Sequence, residues 1–523
     1  MDRRTLFRHL GRQAAALALA RLFGAAQAQP AAPWPVDAGD PFTLGVASGM
    51  PRPDSVVIWT RLAPRPHDIG GGLPPLPFSV RWELAEDERF GAGLRRGEFI
   101  ARPENAHALH VELRGLASAR PYFYRFIAGD TVSAVGRTRT APAEDAPLAR
   151  LRLALASCQH YEQGWYAAHA EIAARELDFV LFVGDYIYES SNPRHRLRPH
   201  EGPVPQTLDA YRARHATYKL DADLRAAHAA HPWILTWDDH EVENDYAADA
   251  SPSGLDAPAF LRRRAAAYQA YFEHLPVSPS MAPRGAAMRI HDHFRWGRLA
   301  ELWTLDGRQY RSVQACGNAA AGGRTIGGDC EELADPARTV FGAAQERWLA
   351  DGLAGSVRPW RLLAQGSQLG ASGVAVPGQA RRVFSDGWDG YPRARERLLD
   401  AIASSTAAGG NALVLGGDVH RHVAAQLRQR PDDPRSPVVA AEFVCTSISS
   451  RGLAEARMAA IRAGNPDLLH ARGDERGYAL LEITARAAHC DLRATPHPAQ
   501  PGAALHTQAS FTVEAGRPEP VRD

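Results

Sequence analysis

The sequence predicts a mixed α/β chain in two parts, a β-sandwich followed by an α/β domain, and three observations support this prediction. Between residues 41 and 142, short runs that alternate apolar and polar residues are separated by turn residues, a pattern typical of antiparallel strands. After residue 150, apolar runs alternate with helical stretches, which indicates an α/β domain. Side chains able to bind metal ions follow four of these runs, where ligands collect in such folds.

The first residues have the three regions of an export signal. Arg3 and Arg4 precede an Ala/Leu-rich run over 14–26, and Ala26-Gln27-Ala28 suits signal cleavage. The arginine pair resembles a twin-arginine signal, and the run is too short and too charged for a stable membrane span. We therefore predict a signal peptide over 1–28, the twin-arginine translocase as a partner, and a mature protein in the periplasm or outside the cell.

The composition is that of a soluble globular protein without a strongly charged partner. The 523 residues carry a net charge of +1, with 23% charged and 45% hydrophobic residues. Such a balance indicates neither a nucleic-acid nor an acidic-membrane partner. Because no second apolar run approaches about 18 residues, we expect no transmembrane anchor after signal cleavage.

Five cysteines remain for an oxidising compartment. Cys316 and Cys330 flank a Gly/Ala-rich loop, so we predict a disulfide between them. The odd count leaves at least one cysteine without a partner, and we expect this to be Cys158. Cys445 and Cys490 are either buried thiols or a second bridge.

The N-terminal domain is predicted over 41–142. Its alternating runs cover 55–60, 78–84, 107–113 and 121–126. Gly115-Leu116, followed by Tyr122 and Tyr124, resembles the corner of a fibronectin III-like β-sandwich. We find no catalytic constellation in this domain, and a Pro/Ala linker over 140–150 follows it.

The second domain is predicted over 150–490, followed by a C-terminal tail over 491–523. Its predicted strands cover 151–156, 179–183, 233–237, 299–305, 360–364, 411–415 and 438–444. Its predicted helices lie near 166–176, 208–214 and 257–274.

Four strand ends in this domain carry residues suited to metal binding or proton transfer. In chain order they hold Cys158; Asp185 and Tyr188; Asp238, Asp239, His240 and Asn244; and Asp418 and His420. Two cations about 3.5–4 Å apart can share a carboxylate and bind phosphoryl oxygens. Holding two cations in this way needs a set of ligands such as these four strand ends provide. A thiolate and a phenolate favour iron, whereas carboxylates suit Ca2+ or Mg2+.

Each of these residues also has a plainer interpretation. Cys158 suits a buried apolar thiol, Tyr188 a core aromatic residue, and His420 a cap or a core histidine. His291 and His293 alternate on a probable strand and are expected to line the sheet. Arg308 suits a phosphate partner through its forked guanidinium, or a structural ion pair with Asp306.

Nine stretches, taken together and in order, resemble the alkaline phosphatase D (PhoD-like) family of exported phosphoesterases. They include GDYIYE at 184–189, WDDHEV at 237–242, LDGRQYR at 305–311 and GDVH at 417–420. The remaining five lie at 156–159, 211–214, 268–274, 388–391 and 442–448. The resemblance covers the chain from the N-terminal sandwich to about residue 485, and it implies a four-layer α/β/β/α metallophosphoesterase domain.

The resemblance also implies a centre with Fe3+ and Ca2+. By position, the iron ligands would be Cys158, Asp185, Tyr188 and His420. Asp185 would bridge to calcium, whose other protein ligands would be Asp239 and Asp418. Asp238 and Asn244 would serve a further calcium or the substrate. The family motif often has Asn where this chain has Asp245, so the choice between Asn244 and Asp245 as a metal ligand stays open.

The function implied is an exported, metal-dependent alkaline phosphatase or phosphodiesterase. A metal-bound hydroxide would hydrolyse phosphate mono- and diesters, with His240, Asp239 and Asp185 as catalytic residues and His240 near the phosphate or the leaving group. One alternative is a phospholipase D-type phosphodiesterase acting on lipid or teichoic-acid-like diesters. A different class of protein, a non-catalytic surface protein stabilised by metals, is the remaining alternative.

Overall fold

The computed structural model describes residues 31–523 except 36–38, 192–193, 195, 318–321 and 408. The export signal predicted over 1–28 lies outside the described residues. The α-helices of the described part are α1 (Ala167–Ala174), α2 (Leu208–Lys219), α3 (Ala222–Ala230), α4 (Ala257–His274), α5 (Gly342–Gly355), α6 (Pro392–Thr406) and α7 (Glu455–Ala463). Side chains cap three of them: Thr207 begins α2, Asp221 begins α3 and Asp256 begins α4.

The strands predicted from alternation and apolar runs are present, together with others that the sequence did not predict. In chain order they are β1 (Val46–Gly49), β2 (Ser55–Arg61), β3 (Phe78–Ala85), β4 (Arg95–Ala101), β5 (Ala108–Arg114), β6 (Pro121–Ala128), β7 (Thr131–Val132), β8 (Gly136–Arg139), β9 (Leu151–Ala156), β10 (Phe179–Phe182), β11 (Pro232–Leu235), β12 (Asp292–Trp296), β13 (Ala300–Thr304), β14 (Thr325–Gly327), β15 (Trp360–Ala364), β16 (Arg382–Phe384), β17 (Asn411–Gly416), β18 (His422–Arg428), β19 (Val438–Val444), β20 (Leu468–Arg472), β21 (Glu475–Ile483), β22 (Ala487–Pro496), β23 (His506–Glu514) and β24 (Val521–Arg522).

Two large sheets form the α/β domain. Among the described residues the first sheet has the order β24-β23-β22-β21-β9-β10-β11-β1-β2-β5, and the second has β12-β13-β15-β17-β19-β18-β20. Strands β9, β10 and β11 are parallel neighbours, as are β13, β15, β17 and β19. The carboxyl ends of each parallel set therefore share one edge of their sheet.

The two sheets pack face to face between two outer layers of helices. Strand β15 shows this alternation, because Leu362 belongs to the core between the sheets and Leu363 to the core beneath α5 and α6. Strand β17 repeats it with Leu413 and Val414. The four-layer α/β/β/α arrangement is thus present, and the predicted mixed α/β fold is confirmed.

The N-terminal strands form a sandwich that shares a sheet with the α/β domain. One face is β4-β3-β6-β7 with β8 beside β6, and the other is β1-β2-β5. Their shared core includes Val56, Ile58, Leu84 and Tyr124. The second face continues into the first large sheet because β1 pairs in parallel with β11. The predicted sandwich is therefore joined to the α/β domain by backbone hydrogen bonds.

The prediction of a C-terminal tail over 491–523 is wrong. Residues of this segment form most of β22 and all of β23 and β24, which extend the first sheet. Phe511 and Val513 are fully buried in the core between the sheets. The alternating burial of β23 gives this segment an apolar face that packs against the core.

The predicted disulfide and the predicted unpaired cysteine are both present. Cys316 and Cys330 form a disulfide, and Cys158, Cys445 and Cys490 are buried free thiols. The second bridge left open for Cys445 and Cys490 is not formed. Within the described part of the chain, no helix has both the length and the apolar character needed to cross a membrane.

Candidate metal centre

The four predicted strand ends converge on one site between the sheets. The loops after β9 and β10 lie side by side, because the Cys158 and Gln159 N–H groups donate to the carbonyls of Gly184 and Asp185 at 3.1 Å each. Gly184 has a φ of +121°, and a Cβ there would lie 2.6 Å from the Asp238 nitrogen. A glycine at this strand end therefore lets the β10 and β11 loops approach closely.

Four of the predicted ligands have left-handed backbones. The φ values are 59° at Cys158, 58° at Asp185, 63° at Asp418 and 51° at His420. Non-glycine residues rarely adopt this region, and where they do the surrounding structure holds them there. The backbone conformation thus marks these loops independently of the side chains.

Cys158, Asp185 and His420 form one candidate metal group. One ligand atom from each lies within 4.8 Å of the others. The Tyr188 hydroxyl joins them, donating to Asp185 Oδ2 at 2.8 Å and lying 3.0 Å from His420 Nε2. His420 Nδ1 donates to the Arg451 carbonyl at 2.8 Å, so Nε2 is left with a lone pair for a ligand.

The donor set fits a strongly acidic cation. Asp185 Oδ1 is buried and has no hydrogen-bond partner. Burial, together with Asp185, raises the pKa of the Cys158 thiol and of the Tyr188 hydroxyl well above their usual values. A bound cation would offset the negative charge that these groups carry when ionised. An orphaned carboxylate oxygen beside a thiol, a phenol and an imidazole is thus a suitable site for a metal.

A second candidate group combines Asp185, Asp239 and His240. His240 Nδ1 lies 2.7 Å from Glu189 Oε2, and Glu189 Oε1 accepts the Asn244 N–H at 3.0 Å. Burial alone would lower the pKa of His240, but Glu189, Asp239 and Asp185 together raise it well above its usual value. The imidazolium form is therefore favoured, with Nδ1 committed to Glu189.

A third candidate group combines Asp239, Asp245 and Asp386. Burial, together with Asp386, raises the pKa of Asp245 to about 7. The Asp245 carboxylate accepts the Gly323 N–H at 3.0 Å, whereas Asn244 contributes its backbone N–H to Glu189. Of the two neighbours left open by the sequence, Asp245 is the one whose carboxylate joins an acidic group.

Arg308 neutralises part of this acidic cluster. Its guanidinium donates to Asp238 Oδ1 at 2.5 Å and Oδ2 at 3.2 Å, and to Asp386 at 2.8 and 3.0 Å. Arg308 donates to Asp306 only through its backbone N–H, not through its guanidinium. The predicted ion pair with Asp306 is therefore wrong in its partner: Arg308 forms a structural ion pair with Asp238 and Asp386.

Asp238 and Asp418 stand apart from the three candidate groups of the described residues. Both Asp238 oxygens accept from Arg308. Asp418 Oδ2 accepts the Ser367 hydroxyl at 2.8 Å, and burial, followed by Asp238 and Asp239, raises the pKa of Asp418 to about 8. His291 and His293, expected to line the sheet, contact Trp348 and Trp303 respectively.

The centre opens into a cleft of about 480 Å³. The residues that line the cleft include His160, Gln163, Tyr188, Ser190, His240 and His420. The His160 ring lies over Tyr188, with their centroids 4.5 Å apart. Solvent-sized molecules can therefore reach the ring edges of His240 and His420.

Comparison with known proteins agrees with this geometry. The model of the PhoD-like phosphatase family matches residues 153–492, and the model of that family's N-terminal domain matches residues 27–142. The chain belongs to the PhoD-like phosphatase family. It is therefore an enzyme of the phosphoric ester hydrolase class, and the family resemblance read from the sequence is confirmed.

Two relatives of this PhoD-like phosphatase extend over nearly the whole chain. Alkaline phosphatase D of Bacillus subtilis (strain 168) is 43% identical over 485 residues, covering 91% of this chain and 81% of that protein. A solved structure described as the structure of PhoD superposes with a TM-score of 0.87 at 41% identity, covering 93% of each chain.

Sequence reasoning missed the roles of three residues in this site. Glu189 was part of a matching stretch without a role, and Asp386 and Arg311 were not singled out. Arg311 donates to Asp386 at 2.8 Å. The only local clue to Asp386 is its place two residues before the matching stretch at 388–391.

Proposed function

We propose that this chain is an exported, metal-dependent alkaline phosphatase and phosphodiesterase with an iron and calcium centre. Cys158, Asp185, Tyr188 and His420 would hold Fe3+, and Asp185 would be shared with Ca2+. The observation that carries the proposal is the convergence of these four donors around the orphaned Asp185 Oδ1.

The calcium side is proposed for the carboxylates next to Asp185. Asp239 and Asp245 lie in candidate groups, and Asp418 lies close enough for Asp239 to raise its pKa. Asp238 has both oxygens on Arg308, which favours a role in holding Arg308. When bound, the metals would supply Lewis acidity toward the phosphoryl oxygens.

His240 is proposed as the group that protonates the leaving oxygen. Glu189 fixes Nδ1, so the proton available to the cleft is the one at Nε2. A general acid must hold its proton until bond cleavage, and the Glu189 carboxylate, which is not among the proposed metal ligands, raises the pKa of His240. This arrangement favours an enzyme over a surface protein stabilised by metals.

Metal content and the visible spectrum test the proposal directly. We expect about one iron per chain together with calcium, and a tyrosinate-to-Fe3+ charge-transfer band that is lost in Tyr188→Phe. Tyr211→Phe removes a buried hydroxyl outside the candidate centre and should leave the band intact. Zinc alone, or no metal, in the purified protein would contradict the ligand assignment.

Hydrolysis of p-nitrophenyl phosphate and bis(p-nitrophenyl) phosphate tests the substrate class. Activity on both esters is expected, with loss on chelation and recovery on readdition of calcium. Inactivity of the metal-loaded protein on both esters would exclude the proposed function.

Export is proposed from Arg3 and Arg4. Replacement of both arginines by lysine should hold the precursor in the cytoplasm, because the twin-arginine route reads this pair. Export that continues in the double variant would contradict the route. Fractionation with immunodetection provides the measurement.

A further inference from the structure

A second cavity lies on the outer side of the second sheet, away from the metal centre. Its volume is about 410 Å³, and its walls come from β18, from Leu369 and Gly370, from Arg395 of α6, and from the segment 464–468 that precedes and begins β20. Among the described residues, none lines both this cavity and the cleft of the metal centre. We call it the β18 cavity.

Arg395 brings a partly unsatisfied guanidinium to the β18 cavity. The residue is 6% exposed, and its Nη1 donates to Asp389 Oδ1 at 2.7 Å. Its Nε is buried and has no hydrogen-bond partner. Asp389 accepts from Nη1. The guanidinium edge formed by Nε and Nη2 has no protein acceptor within the described part of the chain. That edge is one of the two that match a carboxylate or a phosphate with paired hydrogen bonds.

The other charges around the β18 cavity disfavour a doubly charged ligand. Arg381 donates from Nη1 to the Gly464 carbonyl and from Nη2 to the Asn465 side-chain oxygen, so amide oxygens are its acceptors there. Arg428 pairs with Asp467 at 3.0 Å. Asp432 is exposed at the rim. With Asp389, which pairs with Arg395, three arginines face three carboxylates, so these groups carry no net charge, and the rim carboxylate would repel a dianion.

The remaining wall is apolar, which selects a ligand with a hydrocarbon body. Aliphatic side chains on several elements line it: Leu369, Leu399, Ala425, Leu427 and Leu468. Pockets of this kind bind ligands by apolar contact and orient them by one or two polar groups. Inorganic phosphate would use the guanidinium edge and leave these walls without contact.

We propose that the β18 cavity is a binding site for a small organic carboxylate with an apolar body. The carboxylate accepts from Nε and Nη2 of Arg395, and the body packs on Leu369, Leu427 and Leu468. The site is independent of the hydrolytic centre, so its existence does not rest on the proposed function.

Hexanoate is the probe, and calorimetric titration of the metal-loaded mature protein is the measurement. Hexanamide lacks the charge and inorganic phosphate lacks the body, so each should bind about tenfold more weakly than hexanoate. Equal binding of hexanamide or of phosphate, or no binding of hexanoate, overturns the proposal.

Two variants locate the binding. Arg395→Gln should weaken hexanoate about tenfold, whereas Arg393→Gln, an exposed arginine on the same helix, should leave it unchanged. Hexanoate that binds equally well to Arg395→Gln would be at another place, such as the metal centre, and this result overturns the proposal.

If Arg395→Gln does not fold because Asp389 loses its partner, Ala371→Leu tests whether hexanoate binds in the β18 cavity. Ala371 lines the cavity and is half-buried, so the larger side chain fills the space without removing an ion pair. Weakened hexanoate binding in Ala371→Leu, with ester hydrolysis unchanged, supports the site. Unchanged hexanoate binding in this variant contradicts it.

Discussion

Single side chains in this phosphatase have roles that depend on a few specific hydrogen bonds. Glu189 shows this most directly, because one oxygen holds His240 Nδ1 at 2.7 Å and the other accepts the Asn244 N–H at 3.0 Å. Its own backbone carbonyl accepts from Arg214 at 2.7 Å. Glu189 is therefore fixed at both ends and positions His240 toward the cleft.

Glu189→Gln should lower kcat most for substrates with poor leaving groups. The neutral amide would not stabilise the His240 imidazolium as the carboxylate does, so the proposed protonation of the leaving oxygen should be impaired, at a cost of about 10²-fold for phenyl phosphate. The loss for p-nitrophenyl phosphate should be smaller, since that group leaves without full protonation. Steady-state kinetics on both substrates measure the difference, and Glu189→Asp serves as the conservative control. An equal loss on both substrates would contradict the positioning role.

Arg308→Met should destabilise the protein by about 3–5 kcal/mol, because it leaves Asp238 and Asp386 buried without their shared cation. Urea unfolding gives the free energy of unfolding. Arg393→Met is the matched control, since its ion pair with Glu396 is exposed and should change stability by less than about 0.5 kcal/mol. A similar loss of unfolding free energy in the two variants would show that the buried ion pairs of Arg308 do not stabilise the fold.

At the level of elements, the loop over 316–330 supports the acidic cluster. The disulfide closes this loop, and β14 within it pairs with β16. From the same region the Gly323 N–H donates to Asp245, and Ser385 and Arg324 exchange hydrogen bonds of 2.8 and 3.0 Å next to Asp386. Two of the three acidic residues in this group thus depend on the loop for their placement.

The double substitution Cys316→Ser with Cys330→Ser should weaken calcium retention about tenfold, because a disulfide of this loop length restrains the chain by about 3 kcal/mol and only part of that acts on Asp245. Calcium titration of the chelated protein, followed by recovery of ester hydrolysis, gives the change. Iron content should stay the same, since Cys158 and Tyr188 lie elsewhere. Unchanged calcium affinity would show that the disulfide-closed loop does not support the calcium ligands.

The molecule buries many neutral histidines, and their titration contributes to its response to pH. Burial lowers the pKa of His169, His215 and His422 to about 3, and of His110 and His231 to about 4. In the unfolded chain these groups have a pKa near about 6.5. Between those values the unfolded state binds more protons, so stability falls as pH decreases through about 6.5.

The contribution of these histidines to the free energy of unfolding should therefore be nearly constant above about pH 7.5 and decrease steeply toward pH 5. His215→Gln tests the cause, because both ring nitrogens of His215 lack hydrogen-bond partners. The variant should reduce the slope below pH 6 by about 1.4 kcal/mol per pH unit, the contribution of one proton. Urea midpoints at pH 5, 6, 7 and 8 provide the measurement. An unchanged slope would assign the acid sensitivity to other groups.

The sequence by itself determined the strand ends that carry the candidate ligands and the strands β9, β10, β11, β13, β15, β17 and β19 of the two large sheets. Apolar runs identify buried strands such as β9 and β10 locally, and residues that follow parallel neighbours must meet at one edge. Cys158, Asp185 and Tyr188 follow neighbouring strands of the first sheet, whereas His420 follows β17 of the second sheet. The family resemblance is what grouped the four as ligands. The disulfide followed from the cysteines on either side of a single loop.

Tertiary structure alone decided the partners of charges and the ends of the sheets. Arg308 lies two residues from Asp306, yet its guanidinium partners are 70 and 78 residues away, at Asp238 and Asp386. The alternation in 506–514 is compatible with a strand, but it does not indicate which sheet the strand would extend. The prediction of a C-terminal tail is wrong for this reason. Hydrophobic periodicity is a local property, whereas ion pairing and strand order depend on which distant segments share space.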